Sequence, residues 1–147
     1  MRVTTPRFSP ALLIGLLAIA ACNDGTETPP EESHTPASAA LVVDGTPIGS
    51  GDPIFLVAGS TVPVEVKFYH DDGDEITGIE GDHFAKLTFT PSTLATSTDV
   101  TNQHFHKVVR AGSEIGAGAV TVGYGHDAAA DQLTFGPFTV TIVLAGQ

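Results

Sequence analysis

The amino-acid sequence predicts an all-β fold, an antiparallel β-sandwich of about seven strands in residues 41–147. Three observations support this prediction. Short runs alternate between apolar and other side chains, which is the period of a strand with one buried face. Gly, Pro and Asp separate these runs at intervals of about ten residues, a spacing typical of sandwiches and barrels. After residue 21, no run repeats with the period of a helix.

The predicted strands follow one another along the chain from residue 41. The clearest is TVPVEVKFY at Thr61–Tyr69, where every second residue is Val or Phe. The dipeptide Asp72-Gly73 then favours a turn. Residues 127–131 (DAAAD) suffice for one helical turn at most. The other predicted strands are alternating runs in residues 53–57, 85–90, 104–109, 119–126 and 135–144.

The first 21 residues have the pattern of a signal peptide. Arg2 and Arg7 precede an apolar run over 11–21, which is too short to remain as a membrane-spanning helix. The run ends in Ile19-Ala20-Ala21-Cys22, which resembles the lipobox of bacterial lipoproteins. This resemblance implies cleavage before Cys22 and a diacylglycerol on its thiol. The alternative is an ordinary secretory signal followed by a cysteine that has no role.

Cys22 is the one cysteine of the chain. Once lipidated, it leaves neither a free thiol nor an intrachain disulfide, so the domain depends on its core. Two acyl chains suffice for stable membrane anchoring. Residues 22–40 are therefore expected to be the lipidated cysteine and a flexible tether rich in Pro, Thr, Ser and Glu.

The charge balance excludes some partners. The chain has a formal net charge of −11, and removal of Arg2 and Arg7 with the signal peptide makes it −13. Phosphates would repel such a chain, so nucleic acid is excluded as a partner. The same repulsion opposes lying flat on an anionic leaflet. The expected partners are the membrane, through the lipid, and another envelope protein.

A second resemblance concerns the domain. Its segments are similar to the bacterial immunoglobulin-like (Big) domains of group 2, over roughly residues 48–145. Phe89 takes the place of the tryptophan of the family, and residues 113–117 are an insertion. The resemblance implies an immunoglobulin-like sandwich with an adhesion, spacer or accessory role, and no catalytic residue. It rests on AGSTVPV at 58–64, LTFTPSTLAT at 87–96, AG at 111–112 and GAVTV at 118–122.

Motifs of enzymes do not fit this sequence. In GSEIG at 112–116 the serine stands one place too early for a nucleophile elbow. GAGAV at 116–120 continues with Thr121 where a dinucleotide fingerprint needs glycine, and there is no P-loop. The acidic run DDGDE at 71–75 fails as an EF-hand loop in both possible registers, which favours a charged turn. We expect no catalytic residue and no enzyme.

The histidines suggest a metal site. His104 and His106 lie two apart on one predicted strand and so share a face. In an immunoglobulin-like topology the ends of the strands that carry His70, His104 and His126 meet at one pole. These four histidines are candidate ligands for Zn²⁺ or Cu²⁺, whereas Cu(I) would favour sulfur. Nearby carboxylates are candidates for orienting the imidazoles, namely Asp71, Asp72, Asp127 and Asp131.

The alternative for each histidine is an ordinary hydrogen bond to a carbonyl group or water. Two functions therefore stay open after the sequence. The first is a non-enzymatic lipoprotein of the cell envelope that displays an interaction or spacer domain. The second is a periplasmic lipoprotein that binds or delivers Zn²⁺ or Cu²⁺. Because asparagine follows Cys22, the outer membrane or the cell surface is favoured over the inner membrane.

Overall fold

The protein was analysed as a computed structural model that describes residues 35–49 and 51–146. The predicted signal peptide, Cys22 and most of the predicted tether lie outside these residues. Within residues 35–49 and 51–146, no helix is long and apolar enough to cross a membrane.

The described residues form nine strands, two more than the sequence predicts. They form two sheets, of order β2-β1-β4-β7-β6 (sheet 1) and β3-β9-β8-β5 (sheet 2). The all-β sandwich is thereby confirmed. The strands are β1 (Ser38–Val43), β2 (Thr46–Ile48), β3 (Ile54–Val57), β4 (Thr61–Tyr69), β5 (Phe84–Thr90), β6 (Ala95–Val100), β7 (Gln103–Ala111), β8 (Gly116–Gly125) and β9 (Leu133–Val143).

Strand pairing is antiparallel with one exception. Strand β3 pairs with β9 in parallel, from Ile54 opposite Val140 to Val57 opposite Val143. The chain reaches the edge of sheet 2 through β3 and returns through β4 in sheet 1. The sequence predicts a purely antiparallel sandwich. The pairing of β3 with β9 departs from that prediction, whereas all other neighbouring strands of the described residues are antiparallel.

The core lies between the two sheets and consists of the inward residues of the alternating strands. In β4 the inward side chains are Val62, Val64, Val66 and Phe68, as the period-two pattern predicts. Val122 of β8 and Val140 of β9 are fully buried opposite them. The sheets are thus held together mainly by burial of β-branched and aromatic side chains, which favour pleated surfaces.

The short strand β1 begins at Ser38, inside the segment expected to be tether. The amide of Ala37 donates to the carbonyl oxygen of Tyr69 over 2.9 Å, and Ser38 pairs with Tyr69. The chain therefore enters the sandwich at the end where β4 finishes. We call this end, where β4 and β8 finish and β5, β7 and β9 begin, the histidine end.

Candidate functional site

Aromatic contacts bring the strand ends of the two sheets together at the histidine end. The ring of Phe68 near the end of β4 lies 5.0 Å from that of Phe105 near the start of β7. The same ring lies 4.8 Å from Tyr124 near the end of β8. Both contacts are edge-to-face, a geometry that the ring quadrupoles favour. The loops that follow these strands are consequently gathered around one aromatic cluster.

The rings of His83 and His126 are in contact with each other. Strands β5 and β8 pair antiparallel, ending with Phe84 opposite Gly125. The next position on each strand is a histidine, so the register places His83 and His126 opposite each other. Their ring centroids lie 4.0 Å apart. His83 also stacks on Tyr124 at 5.0 Å with an interplanar angle of 17°.

His83 is buried, whereas His126 is exposed. The Nδ1 atom of His83 lies 3.2 Å from the carbonyl oxygen of Ile79, where a protonated Nδ1 donates a hydrogen bond. The backbone amide of His83 donates to the same oxygen over 3.1 Å. One imidazole is thus fixed by the β4–β5 connection, and the other remains open to solvent.

His104 and His106 share one face of β7, as the sequence predicts. It is the outer face of sheet 1, since Phe105 between them points inward. Their partners differ. The ring of His104 contacts Phe84 at a centroid distance of 4.0 Å. The Nδ1 atom of His106 lies 3.3 Å from Oε1 of Glu80. That carboxylate oxygen also accepts the backbone N–H of Phe105 over 2.9 Å.

His70 follows β4 and opens the acidic turn. Its amide donates to the carbonyl oxygen of Asp74 over 2.9 Å, and Gly73 has a φ of 92°. The predicted turn at Asp72-Gly73 is therefore confirmed. Oδ1 of Asp72 accepts the amide of Asp74 over 3.0 Å, which closes the turn from the side chain.

The four carboxylates proposed to orient the histidines are all exposed. Asp127 repeats the role of Asp72, since its Oδ1 accepts the amide of Ala129 over 2.8 Å. Both oxygens thus accept backbone amides of their own turns. Asp71 lies beside Asp72 in the first turn, and Asp131 lies near the start of β9.

The candidate ligands share one end of the sandwich but do not form one cluster. The structure pairs His126 with His83, His104 with Phe84, and His106 with Glu80. In the part of the chain that the structure describes, no three His, Cys, Asp or Glu side chains lie close enough to hold one metal ion. Two imidazoles in contact can supply two ligands.

Burial changes the chemistry of one residue in this cluster. The phenol of Tyr124 is buried, and burial raises its pKa above the usual value of 10.0 because the phenolate loses hydration. Tyr124 therefore stays neutral well above physiological pH. Its ring provides an apolar surface on which the imidazole of His83 stacks.

Sequence reasoning missed two residues of this end, His83 and Glu80. His83 directly precedes a strand and His126 directly follows one. A histidine next to a strand end is a signal that the sequence contains. It predicts contact between the two rings only when β5 is known to pair with β8. Glu80 lies in the connection between β4 and β5, where no periodicity indicates which carboxylate contacts β7.

A second candidate surface is the outer face of sheet 2. Its four strands contain no Asp or Glu, and Lys86 is their one charged residue. Among the described residues, the exposed large hydrophobic side chains are Phe55, Val57, Val108, Ile115 and Leu144. All except Val108 belong to β3 or lie directly before β8 or after β9, at the end opposite the histidine end.

Comparisons with known proteins found no matching family model and no matching curated protein. Among solved structures, the chain is similar to domains 4 and 5 of the S-layer protein SbsC, with 16% identity and a TM-score of 0.46. That match covers 74% of this chain and 54% of the other.

The chain is also similar to a nucleoside hydrolase-related hypothetical protein from Saccharophagus degradans that is associated with carbohydrate metabolism. Here the identity is 12% and the TM-score 0.40, over 75% of this chain and 26% of the other. The chain thus spans about half and about a quarter of the lengths of these two structures.

Proposed function

We propose that this protein is a non-enzymatic lipoprotein of the cell envelope whose immunoglobulin-like domain serves as an interaction module. The observation that carries the proposal is the outer face of sheet 2, whose strands contain no carboxylate. Phe55 of β3 and Ile115, directly before β8, are each more than 60% exposed. On a chain of net charge −11, a face without carboxylates is a surface on which another protein can dock without charge repulsion.

The position of that face supports display from a membrane anchor. The chain enters the sandwich at the histidine end, through the bond from Ala37 to Tyr69. Residues Val57 and Val143, which pair in sheet 2, lie at the opposite end. A lipid on Cys22 would therefore attach to one end of the domain and leave the apolar part of the face at the other.

Metabolic labelling with a clickable fatty acid tests the anchor. We expect the wild-type chain to carry the label and to fractionate with the outer membrane or the cell surface. Cys22→Ser should lose the label, because no other residue of the sequence is a cysteine. Thr26→Ser, a change of similar size in the same segment, should keep it. An unlabelled wild-type chain, or a labelled Cys22→Ser variant, would refute the anchor.

A second candidate function is binding of Zn²⁺ or Cu²⁺, favoured by the 4.0 Å contact between the rings of His83 and His126. Neutral imidazoles are good ligands for both ions. In this proposal the pair supplies two ligands, and His70, His104 or His106 supplies a third after a loop movement. The site would serve binding or delivery in the periplasm.

Calorimetric titration with each metal tests this second function. Submicromolar binding is expected for wild type and for His34→Ala, which removes a histidine of the predicted tether. Binding should disappear in the double variant His104→Ala and His126→Ala. Titrations of the wild type that match buffer alone would eliminate the metal function.

A further inference from the structure

The outer face of sheet 2 is built from cross-strand rows whose members alternate between threonine and small or apolar residues. Thr88 pairs with Thr121, and Thr90 with Ala119, which also pairs with Thr139. The following rows, toward the end opposite the histidines, are more apolar. They join Ala117, Thr141 and Phe55, and then Val143 and Val57, with Ile115 directly before β8.

The loop after β8 covers the part of this face that lies nearest the histidine end. Ala130 is buried, and its backbone lies against Gly123 and Gly125 of β8. A Cβ on Gly123 would overlap the carbonyl oxygen of Ala130. Lys86, the one charged residue of sheet 2, belongs to the same row as Gly123. Lys86 is itself exposed, so the strands of this face present one lysine, on edge strand β5, and no carboxylate.

The outer face of sheet 1 differs in this respect. It presents Glu65 and Lys67 on β4, and His106 and Arg110 on β7. Both faces belong to the same acidic chain, but the strands of sheet 2 contain no carboxylate. Sheet 1 thus supplies a control surface of the same architecture.

We infer that a second copy of this chain docks on the outer face of sheet 2. This inference rests on the proposed interaction function and names its partner. Two acidic copies repel each other wherever carboxylates meet, so they approach most closely through a face without them. The two central strands of the sheet, β8 and β9, contain no charged residue that would attract a charged partner. Rows of threonine and alanine can pack against a copy of themselves, and isologous pairing is the commonest symmetry of homodimers.

A two-fold axis parallel to the strands fits this docking. Such an axis superposes the two copies of sheet 2 face to face and keeps the direction of the strands. The histidine ends, where both chains enter their domains, then lie on the same side. Both copies can therefore be anchored in one membrane.

The size of the face sets the expected strength. Four strands about 4.8 Å apart, with about seven residues at 3.4 Å each, give roughly 450 Å² per copy. The total of about 900 Å² lies below the size of stable interfaces, so the dimer is weak in dilute solution. Anchoring both copies in a membrane raises their effective concentration and favours the dimer there.

Chemical cross-linking of the full chain in the membranes of producing cells tests the docking. Thr139→Cys places a thiol at the centre of the face, and Thr96→Cys places one on exposed β6 of sheet 1. With a short bis-maleimide, we expect a band of twice the chain mass for Thr139→Cys, at least fivefold stronger than for Thr96→Cys. Adding Ala117→Glu to Thr139→Cys should reduce the band at least fivefold, because each copy then brings a carboxylate to the face.

Equal bands from the two cysteine variants would overturn the docking, and so would a Thr139→Cys adduct to a protein of another mass. The wild-type chain in the same experiment separates this failure from failure of the anchor. Its Cys22 should not react with maleimide when lipidated. A reactive Cys22 overturns the anchor, whereas an absent dimer with blocked Cys22 overturns only the second copy as partner.

Discussion

At the scale of single residues, Tyr124 couples the histidine end to the core. Its ring contacts Phe68 on one side and stacks with His83 on the other. The core contact explains why Tyr124 is only 3% exposed. This burial lowers the stability of the folded state only when the phenol ionises.

The raised pKa of Tyr124 predicts a loss of stability at alkaline pH. A phenol whose pKa is higher in the folded than in the unfolded state stabilises fully below the unfolded value of about 10. That contribution is lost as pH rises through the folded value. We therefore expect the urea midpoint of the wild type to fall above pH 10, and that of Tyr124→Phe to fall less.

Urea unfolding between about pH 8 and pH 11 checks this expectation. Tyr69→Phe is the matched control, since it removes the other tyrosine of the chain and leaves Tyr124 in place. Its alkaline loss should resemble that of the wild type. Parallel curves for the wild type and Tyr124→Phe would contradict the prediction.

Gly123 allows the loop after β8 to pack on the strand. Because a Cβ at this position would overlap the carbonyl oxygen of Ala130, we expect Gly123→Ala to destabilise the domain by about 1–3 kcal/mol. Gly116→Ala is the control on the same strand, where nothing lies within 4 Å of an added Cβ. It should leave stability unchanged or raise it slightly. Thermal unfolding that ranks the two variants in the opposite order would refute this account of the loop.

At the scale of elements, strands β6 and β7 are joined by a buried lysine. Lys107 points inward between Phe105 and Val109 and is 1% exposed. Its Nζ lies 2.5 Å from Oδ1 of Asp99, whose side chain is 56% exposed. The two residues also pair across the ladder. The apolar stem of the lysine thus fills the core, while its charge reaches a carboxylate on the edge strand.

This pair predicts an asymmetric response to mutation. Asp99→Asn leaves the ammonium without a charged partner, and we expect a loss of about 1–2 kcal/mol. Lys107→Met keeps the stem and removes the charge, so it should cost less or even stabilise. Asp71→Asn, in an exposed turn, is the control for loss of one negative charge. Chemical denaturation gives all three values, and a costlier Lys107→Met would contradict the expectation.

At the scale of the whole molecule, charge is distributed unevenly over the sandwich. Carboxylates crowd the loops of the histidine end, with six between residues 70 and 83, whereas sheet 2 has none in its strands. The net charge of −11 opposes the compact state through self-repulsion. Salt screens this repulsion, with a Debye length of about 10 Å at 0.1 M.

We therefore expect the melting temperature to rise by several degrees when NaCl is increased from about 10 mM to 300 mM. Scanning calorimetry measures the shift. Asp72→Ser should abolish little of it, because one charge is removed from many. A melting temperature that falls with salt would indicate that attractive ion pairs dominate instead.

Much of the sandwich could be read from the alternation of side chains. Strand β4 matches the predicted run, and β5, β7, β8 and β9 lie within a few residues of theirs. Strand β6, with the sequence ATSTDV, has no such alternation because it is an edge strand with polar outward residues. The three-residue β2 is too short to show a period.

The linear order of residues carries local information, so alternation, turn residues and net charge were sufficient to predict an acidic all-β domain with its histidines near strand ends. Partners across the sheets are a different matter, because pairing depends on contacts between segments far apart in sequence. His83 meets His126 only because β5 pairs with β8, and Phe55 and Val57 join the outer face of sheet 2 only because β3 pairs with β9. These contacts are determined by packing between strands that are far apart in sequence, and no single segment encodes that packing.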